Sequence, residues 1–589
     1  MAEHSTALEP NMTEKQEKRE QPSHSGSRTP SSDDSSRAVD QKSKSPSGLM
    51  GMFAKMGNLP EWGFRGKRLE GKVLNWSIGF IASCGFLMFG YDQGVLSSLL
   101  TLDDFQRSIT LMTPLDQSNA LCWLDYPENT QRDYSQCTGD PNTQAAAVAV
   151  YQIGCFLGAF LILFYGETWG RKSSTFWGSA IMIFGTILQA GAHEYGLFSA
   201  GRIIGGVGNG MVTSTIPTWQ SECARPHQRG FLITLSGALI SGGIMIAYWD
   251  YGFYFLEGTI RWRFPVAFQS FFTIVVMIGL LYLPDSPRWL AMKGRMEEAR
   301  EVTSRLLGKP IDDEEVTLEV KAIQEALEVQ SQGGGFKYKE LLTNGPSQNL
   351  RRTLLGIAAQ FFQQICGFGP ELSRLLAALN GTEYFLASLV ALPLIERTGR
   401  RKLMLFGAFG MMVSMAILAG TVSTGTVADN GAPNLETRYG VTATVFLFVF
   451  NSFFAIGWLG MTWLYPAEIT NLRIRIQANA LSTCSNWLSN FLIVMITPPA
   501  FANLGYQTYV IFAVFNAAII PCVYLFFPEP KGRSLEELDV IFASAHADKV
   551  NPVKRAREMR HVEGRELENE LEKYFGSSEL VEDARPMMH

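Results

Sequence analysis

An acid and an arginine stand where so apolar a chain should carry neither. Asp92 lies in the run GFLMFGYDQGVLSS, and Arg202 lies early in the apolar run near 195–219. A charge at membrane depth costs about 2.5–3.5 kcal/mol on insertion scales, so Asp92 needs a cavity or a partner, and Arg202 is its natural counter-ion. On the residues alone, such a pair reads as a buried structural ion pair. A second set has different chemistry. Gln363, Gln364 and Asn486 bear amides that both donate and accept, and Trp463 and Trp487 bear flat apolar rings. Together these types suit an uncharged ligand with neighbouring hydroxyls and an apolar C–H face. The plainer role for a tryptophan in a membrane helix is packing or anchoring at the interface.

The elements that must position these side chains are membrane helices. Of 589 residues, 47% are hydrophobic and 18% charged, and the apolar ones gather into discrete runs. A run of about 20 residues covers roughly 30 Å of hydrocarbon at 1.5 Å per residue. Runs of that kind fall near 74–99, 143–165, 173–193, 195–219, 229–252 and 264–283, then near 353–369, 373–395, 402–424, 440–465, 477–500 and 506–527. Between the two sets, 285–352 contains MKGRMEEAREVTSRLL and EEVTLEVKAIQEALEVQ, both patterned as amphipathic helices in water. The spacing predicts a polar tail over 1–70, a six-helix unit over 71–284, a helical linker over 285–352, a second six-helix unit over 353–532 and a tail over 533–589.

A net charge of −5 and the lack of a long basic run argue against nucleic acid as a partner. Five of eight cysteines, at 84, 155, 366, 484 and 522, sit in apolar runs without metal spacing, so neither a metal nor another cofactor is expected. Cys122 and Cys137 share the 100–142 loop and would be free to form a disulfide if it faces outward. Seven histidines and no nucleophile–base pattern argue against an enzyme.

Lysine and arginine cluster after even-numbered spans: Arg171 and Lys172, Arg225 and Arg229, Arg397 to Lys402, Arg473 and Arg475. Positive loops stay inside, so both termini are expected in the cytoplasm and the 100–142 loop outside. The halves also repeat. Glu167-Thr-Trp-Gly-Arg171-Lys172 matches Glu396-Arg-Thr-Gly-Arg400-Arg401, and Glu222 with Arg229 matches Glu468 with Arg475. Positive-inside sorting explains the arginines but not the glutamates. Glu167, Arg171, Glu222, Arg229, Glu396, Arg400, Glu468 and Arg475 are therefore expected to form gating salt bridges between the bundles. Individually such surface pairs contribute about 0–1 kcal/mol, so only a network would bias a gate.

GETWGRK, PTWQSECARPHQRG, PDSPRWL, ERTGRRK and PEPKGRSLEE, in that order over about residues 72–545, resemble the signature set of the sugar porter family of the major facilitator superfamily, in wording most like fungal monosaccharide transporters. Departures are small: Glu167 and Glu396 replace Asp, Asp285 replaces Glu, Trp219 replaces Tyr and Pro530 replaces Thr. The resemblance implies an all-α membrane fold of two six-helix bundles around a midplane site, carrying a monosaccharide across the plasma membrane by alternating access. It implies substrate contact at Gln363, Gln364, Trp463, Asn486 and Trp487, and proton coupling at Asp92 and Arg202.

One region departs more deeply. After Gln363-Gln364-Ile-Cys-Gly367 the family pattern continues to an Asn and a Tyr pair, whereas here the chain runs into Phe368-Gly-Pro370-Glu371. The seventh span is thus expected to be short and to break at Pro370. Where many relatives carry Gln in span five, this chain has Gly237. Three readings follow: a proton-coupled sugar symporter, a facilitated-diffusion uniporter, and a non-transporting sugar sensor whose seventh span lacks part of the sugar site.

Overall fold

A computed structural model describes residues 59–63, 67–100, 102–112, 123–126, 129–132, 141–249, 256–331, 336–366, 374–427, 433–434, 436–562 and 565–575, all within one compact unit, Met52–His589. Helices stand at each expected span, within about a turn at either end. Spans one to six are Gly71–Leu99, Pro141–Trp169, Arg171–Ala190, Tyr195–Cys223, Pro226–Tyr248 and Ile260–Leu281. Spans seven to nine are Asn349–Ile365, Arg374–Thr398 and Arg400–Val422. Span ten, Thr437–Ile469, changes to π-helical winding over Ala455–Leu459, and spans eleven and twelve are Arg475–Leu504 and Gln507–Phe526. Two short hairpins, 123–126 with 129–132 and 426–427 with 433–434, lie in loops. Cys122 and Cys137 fall outside the described residues.

Nine of these helices are long and apolar enough, by length and composition, to cross a membrane among the described residues. Spans three, four and seven are not among them: polar residues interrupt three and four, and seven, with 17 residues, is also too short. Their polarity is turned inward: span four is buried without a break from Gly208 to Cys223. Packing explains the tolerance, since a helix enclosed by other helices need not be apolar all round.

The two halves start their third helices alike. Gly170 and Gly399 precede spans three and nine with φ of 85° and 91°, a conformation that suits glycine. A carboxylate from the far end of the same half then accepts the helix's first N–H groups. Asp285, just past span six, accepts from Arg171 N at 3.2 Å and Lys172 N at 3.4 Å. Glu529, just past span twelve, accepts from Arg400 N at 2.9 Å and Arg401 N at 3.0 Å. Unpaired amides and the positive end of the helix dipole make this the favoured place for an acid. Thus the repeat seen in sequence is also a repeat of capping geometry.

Span two packs on span eleven and span five on span eight, and these contacts join the halves. Asn479 Nδ2 donates to the Ser214 carbonyl at 2.7 Å, Ser241 bonds Ser388 through their hydroxyls at 3.0 Å, and Trp249 Nε1 donates to Thr382 Oγ1 at 2.8 Å. Gly237 meets the backbone of Gly460: a Cβ there would lie 2.7 Å from Gly460 Cα. The missing glutamine of span five is therefore replaced by a close helix crossing.

Span seven has 17 residues, so it rises roughly 25 Å against roughly 30 Å of hydrocarbon. Its last turn is finished from outside, where Asn516 Nδ2 of span twelve donates to the Cys366 carbonyl at 3.0 Å. The expected break at Pro370 lies outside the described residues. The linker forms helices at Pro287–Met292, Met296–Leu307 and Glu314–Ser331. Beyond residue 533, where the sequence suggested a tail, the helix Leu535–Ala547 is buried from Leu535 to Ala545.

Replacing Glu529 by Ala strips the acceptor from the start of span nine and should cost about 1 kcal/mol, the usual value of a lost cap. A lower melting temperature of the purified protein in detergent, partly restored in Glu529→Gln, checks this. An unchanged one would show that the carboxylate does not hold the helix start.

Candidate functional site

Amides from span seven and span eleven interlock. Asn486 Nδ2 donates to Gln360 Oε1 at 2.6 Å and to Gln363 Oε1 at 2.8 Å, while Gln360 Nε2 donates to the Thr462 carbonyl at 2.9 Å. Gln364, next along span seven, is buried too. Trp463 and Trp487 are buried beside them. Rings from the other half close on these tryptophans: Phe86 lies 5.3 Å and Phe89 6.0 Å from Trp463, and Phe89 lies 5.1 Å from Trp487. The structure so brings Gln363, Asn486, Trp463 and Trp487 into one cluster, while Gln364 is buried with no hydrogen bond to them among the described residues. Two polar atoms in it, Asn486 Oδ1 and Trp487 Nε1, are buried without a hydrogen-bond partner among the described residues. Such groups can bond a ligand or water.

Asp92 and Arg202 are joined, Arg202 Nη1 to Asp92 Oδ1 at 3.1 Å, and both are buried. Tyr151 of span two links this pair to the amide cluster. Its ring lies 4.4 Å under the Arg202 guanidinium, and its other neighbour is Trp487 at 6.3 Å.

At the basic end the charges form two nodes. Glu222 takes Arg171 bidentately at 2.9 and 3.0 Å within its own half, and Arg475 of the other half at 3.7 Å. Arg400 takes Glu468 at 2.8 Å and Glu396 at 3.2 Å, all within the second half. Arg229 donates Nε to the Ser221 carbonyl at 3.0 Å and enters no salt bridge among the described residues. Glu167 reaches across to Gln477 Nε2 at 2.9 Å. The expectation that all eight charges bridge the bundles therefore needs correcting. Among the described residues, only Glu222 with Arg475 is an ion pair between the spans of the two halves, because Arg171 and Arg400 are each claimed by acids of their own half.

Outside the spans, Arg288 bonds Glu536 at 2.8 Å and so ties the linker to the buried C-terminal helix. Burial opposes ionisation of Glu536, but Arg288, a backbone N–H, Arg475 and Arg229 together hold the carboxyl below its ordinary value. Burial pushes Asp285 above the usual aspartate value, against the backbone N–H groups that it caps.

Sequence reasoning missed Gln360, Phe86, Phe89, Tyr151 and Gln477. Gln360 was within reach, since it lies three and four residues before the amides at 363 and 364 and hence on their helix face. The aromatic contacts between halves carry no such local signal.

Glu222→Gln leaves Arg171 and Arg475 short of a carboxylate. Breaking a buried pair costs about 3–5 kcal/mol, ample to part the halves at this end. The buried thiol of Cys223 should then react with a maleimide on the order of tenfold faster, equivalent to about 1.4 kcal/mol. An unchanged rate, read by peptide mass spectrometry, would show that Glu222 does not hold this end shut.

Comparison with known proteins adds identity to this geometry. The sequence matches the family described as sugar (and other) transporter over residues 78–542. It is 36% identical over 547 residues to the sugar transporter STL1 of Saccharomyces cerevisiae, covering 87% of this chain and 91% of that protein. It is 30% identical over 493 residues to the high-affinity glucose transporter of Kluyveromyces lactis, covering 78% and 84%. In fold it resembles the proton:xylose symporter XylE bound to 6-bromo-6-deoxy-D-glucose, with a TM-score of 0.66 at 22% identity, covering 80% of this chain and 99% of that one. The chain belongs to the sugar (and other) transporter family, whose members are carriers rather than enzymes, and is a multi-pass membrane protein of the major-facilitator fold.

Proposed function

We propose that this chain carries a monosaccharide across the plasma membrane by alternating access, with its basic end and both termini in the cytoplasm. The observation that supports this most is the cluster of Gln360, Gln363 and Asn486 beside Trp463 and Trp487, which faces rings from the other half and holds two unpartnered polar atoms. A sugar hydroxyl would satisfy Asn486 Oδ1 or Trp487 Nε1, and a tryptophan face would cover its C–H side. The described state is tied at the basic end by Glu222 with Arg475 and Glu167 with Gln477. Release to that side requires these bonds to break, and reopening to the other side requires them to reform.

Proton symport is the form of transport that the chain of contacts Asp92–Arg202–Tyr151–Trp487 favours. A proton on Asp92 would weaken its hold on Arg202 and, through Tyr151, alter the wall of the sugar site. Facilitated diffusion is the second reading, in which the same pair is structural. The short span seven, without the family's Asn and Tyr pair, is what favours a non-transporting sensor.

Cells lacking their own hexose carriers, expressing this chain with surface abundance measured alongside, should show saturable uptake of labelled hexose. Asn486→Ala should raise KM roughly tenfold, about the 1.4 kcal/mol of one or two hydrogen bonds. Asp92→Asn should remove the sensitivity of uptake to a protonophore. Normal surface abundance with no uptake of any sugar would sink the carrier reading in favour of the sensor.

A further inference from the structure

Glu383 stands near the middle of span eight, nine residues after its start at Arg374 and fifteen before its end at Thr398, so about 14 Å from one end and about 22 Å from the other. The reading of sugar and proton sites gives it no task. Its surroundings are those of the hydrocarbon. It lines a groove of 630 Å³ with Leu379, Leu386, Val390, Phe448 and Ile456. Leu386 and Val390 are 57% and 49% exposed, which places the groove on the outer face of the helices.

Two hydroxyls line this groove, and that of Thr382 is engaged elsewhere, donating to the Ala378 carbonyl and accepting from Trp249 Nε1. The Ser452 hydroxyl of span ten bonds Glu383 Oε1. Glu383 Oε2 is buried and has no hydrogen-bond partner among the described residues. Among the described residues no cation pairs with it. Tyr384, next along the span, is the ionisable group that interacts with Glu383, and Tyr248 of span five lies near Tyr384. Span nine carries no charge beyond Lys402, and span ten carries none between Arg438 and Glu468.

An ionised carboxyl against lipid with no cation costs about 2.5–3.5 kcal/mol or more, and one hydroxyl contributes roughly 1.5–3 kcal/mol in return. The acid form avoids the first cost and keeps the bond. The position of that bond matters as well. Ser452 lies one turn before the π-helical segment Ala455–Leu459, to which Ile456 of the groove belongs. One residue earlier, Asn451 Nδ2 donates to Asn380 Oδ1 at 2.9 Å. Two polar ties thus fasten span eight to span ten where the winding of span ten changes, and π-helical turns recur at functional positions.

We propose that Glu383 is a proton-binding carboxyl that opens on the bilayer, separate from Asp92, and that its acid form fastens span eight to the start of the π-helical turn of span ten. The site takes a proton and, from the lipid phase, small apolar reagents that react with carboxylic acids.

Dicyclohexylcarbodiimide is such a reagent. The acid adds across one C=N bond: its hydrogen goes to nitrogen and its oxygen to the central carbon. The O-acylisourea then rearranges to a stable N-acylurea with the mass of both reactants, and nothing leaves. Full-length protein in phospholipid nanodiscs, treated and mapped by peptide mass spectrometry, should carry the adduct at Glu383. A charged, water-soluble carbodiimide should give little, and the adduct should be lost in Glu383→Gln. In untreated protein, Glu383→Ala should lower the melting temperature, whereas Glu383→Gln, neutral and still an acceptor for Ser452, should not. No adduct at Glu383 overturns the proposal, as does equal modification by the water-soluble reagent or a Glu383→Gln variant that melts as low as Glu383→Ala. These readouts are independent of sugar uptake, so they stand apart from the carrier reading.

Discussion

Charges buried where water cannot reach them must be answered by other charges, and Glu222 is where this requirement bears hardest. It answers two arginines, one in its own half and one in the other. Removing two charges from water costs several kcal/mol per ion, a cost offset only by good geometry and further hydrogen bonds. The bidentate hold on Arg171 supplies the geometry. The weaker reach to Arg475, at 3.7 Å, is the part that a moving protein can surrender. A firm bond inside one half and a looser bond between halves let each bundle stay rigid while the joint between them changes.

The same asymmetry runs through the rest of the fold. Carboxylates at Asp285 and Glu529 fix helix starts within a half, through backbone N–H groups. Contacts between halves are instead made by single hydrogen bonds, aromatic edges and a glycine crossing. Each of these is small in energy, so no one of them commits the molecule to a single arrangement.

Much of this was legible in the sequence because the membrane imposes a coarse and regular pattern. Span positions follow from apolar length, and the repeat follows from motifs in the same order. Asp92 and Arg202 were paired correctly because an acid at that depth has few alternatives. Pairing at the basic end was not legible. Which of several acids an arginine meets depends on how two bundles dock, and no local spacing encodes that, as Arg229 shows by bonding a carbonyl. Glu383 was legible on the same grounds as Asp92, being a mid-span acid, but the polar run LNGTEY around it hid it.

The short seventh span has a consequence for how the protein meets the thickness of a bilayer. At roughly 25 Å it falls several ångströms short of a typical bilayer, and each ångström of mismatch costs a fraction of a kcal/mol. Membranes differ in thickness: that of the endoplasmic reticulum is about 27 Å and a sterol-rich plasma membrane about 32–33 Å. Taken alone, a helix of that length matches the thinner of these membranes better than the thicker. The other eleven spans are longer, so the shortfall is met inside the protein, by neighbours such as Asn516 at the Cys366 carbonyl, rather than by the membrane as a whole.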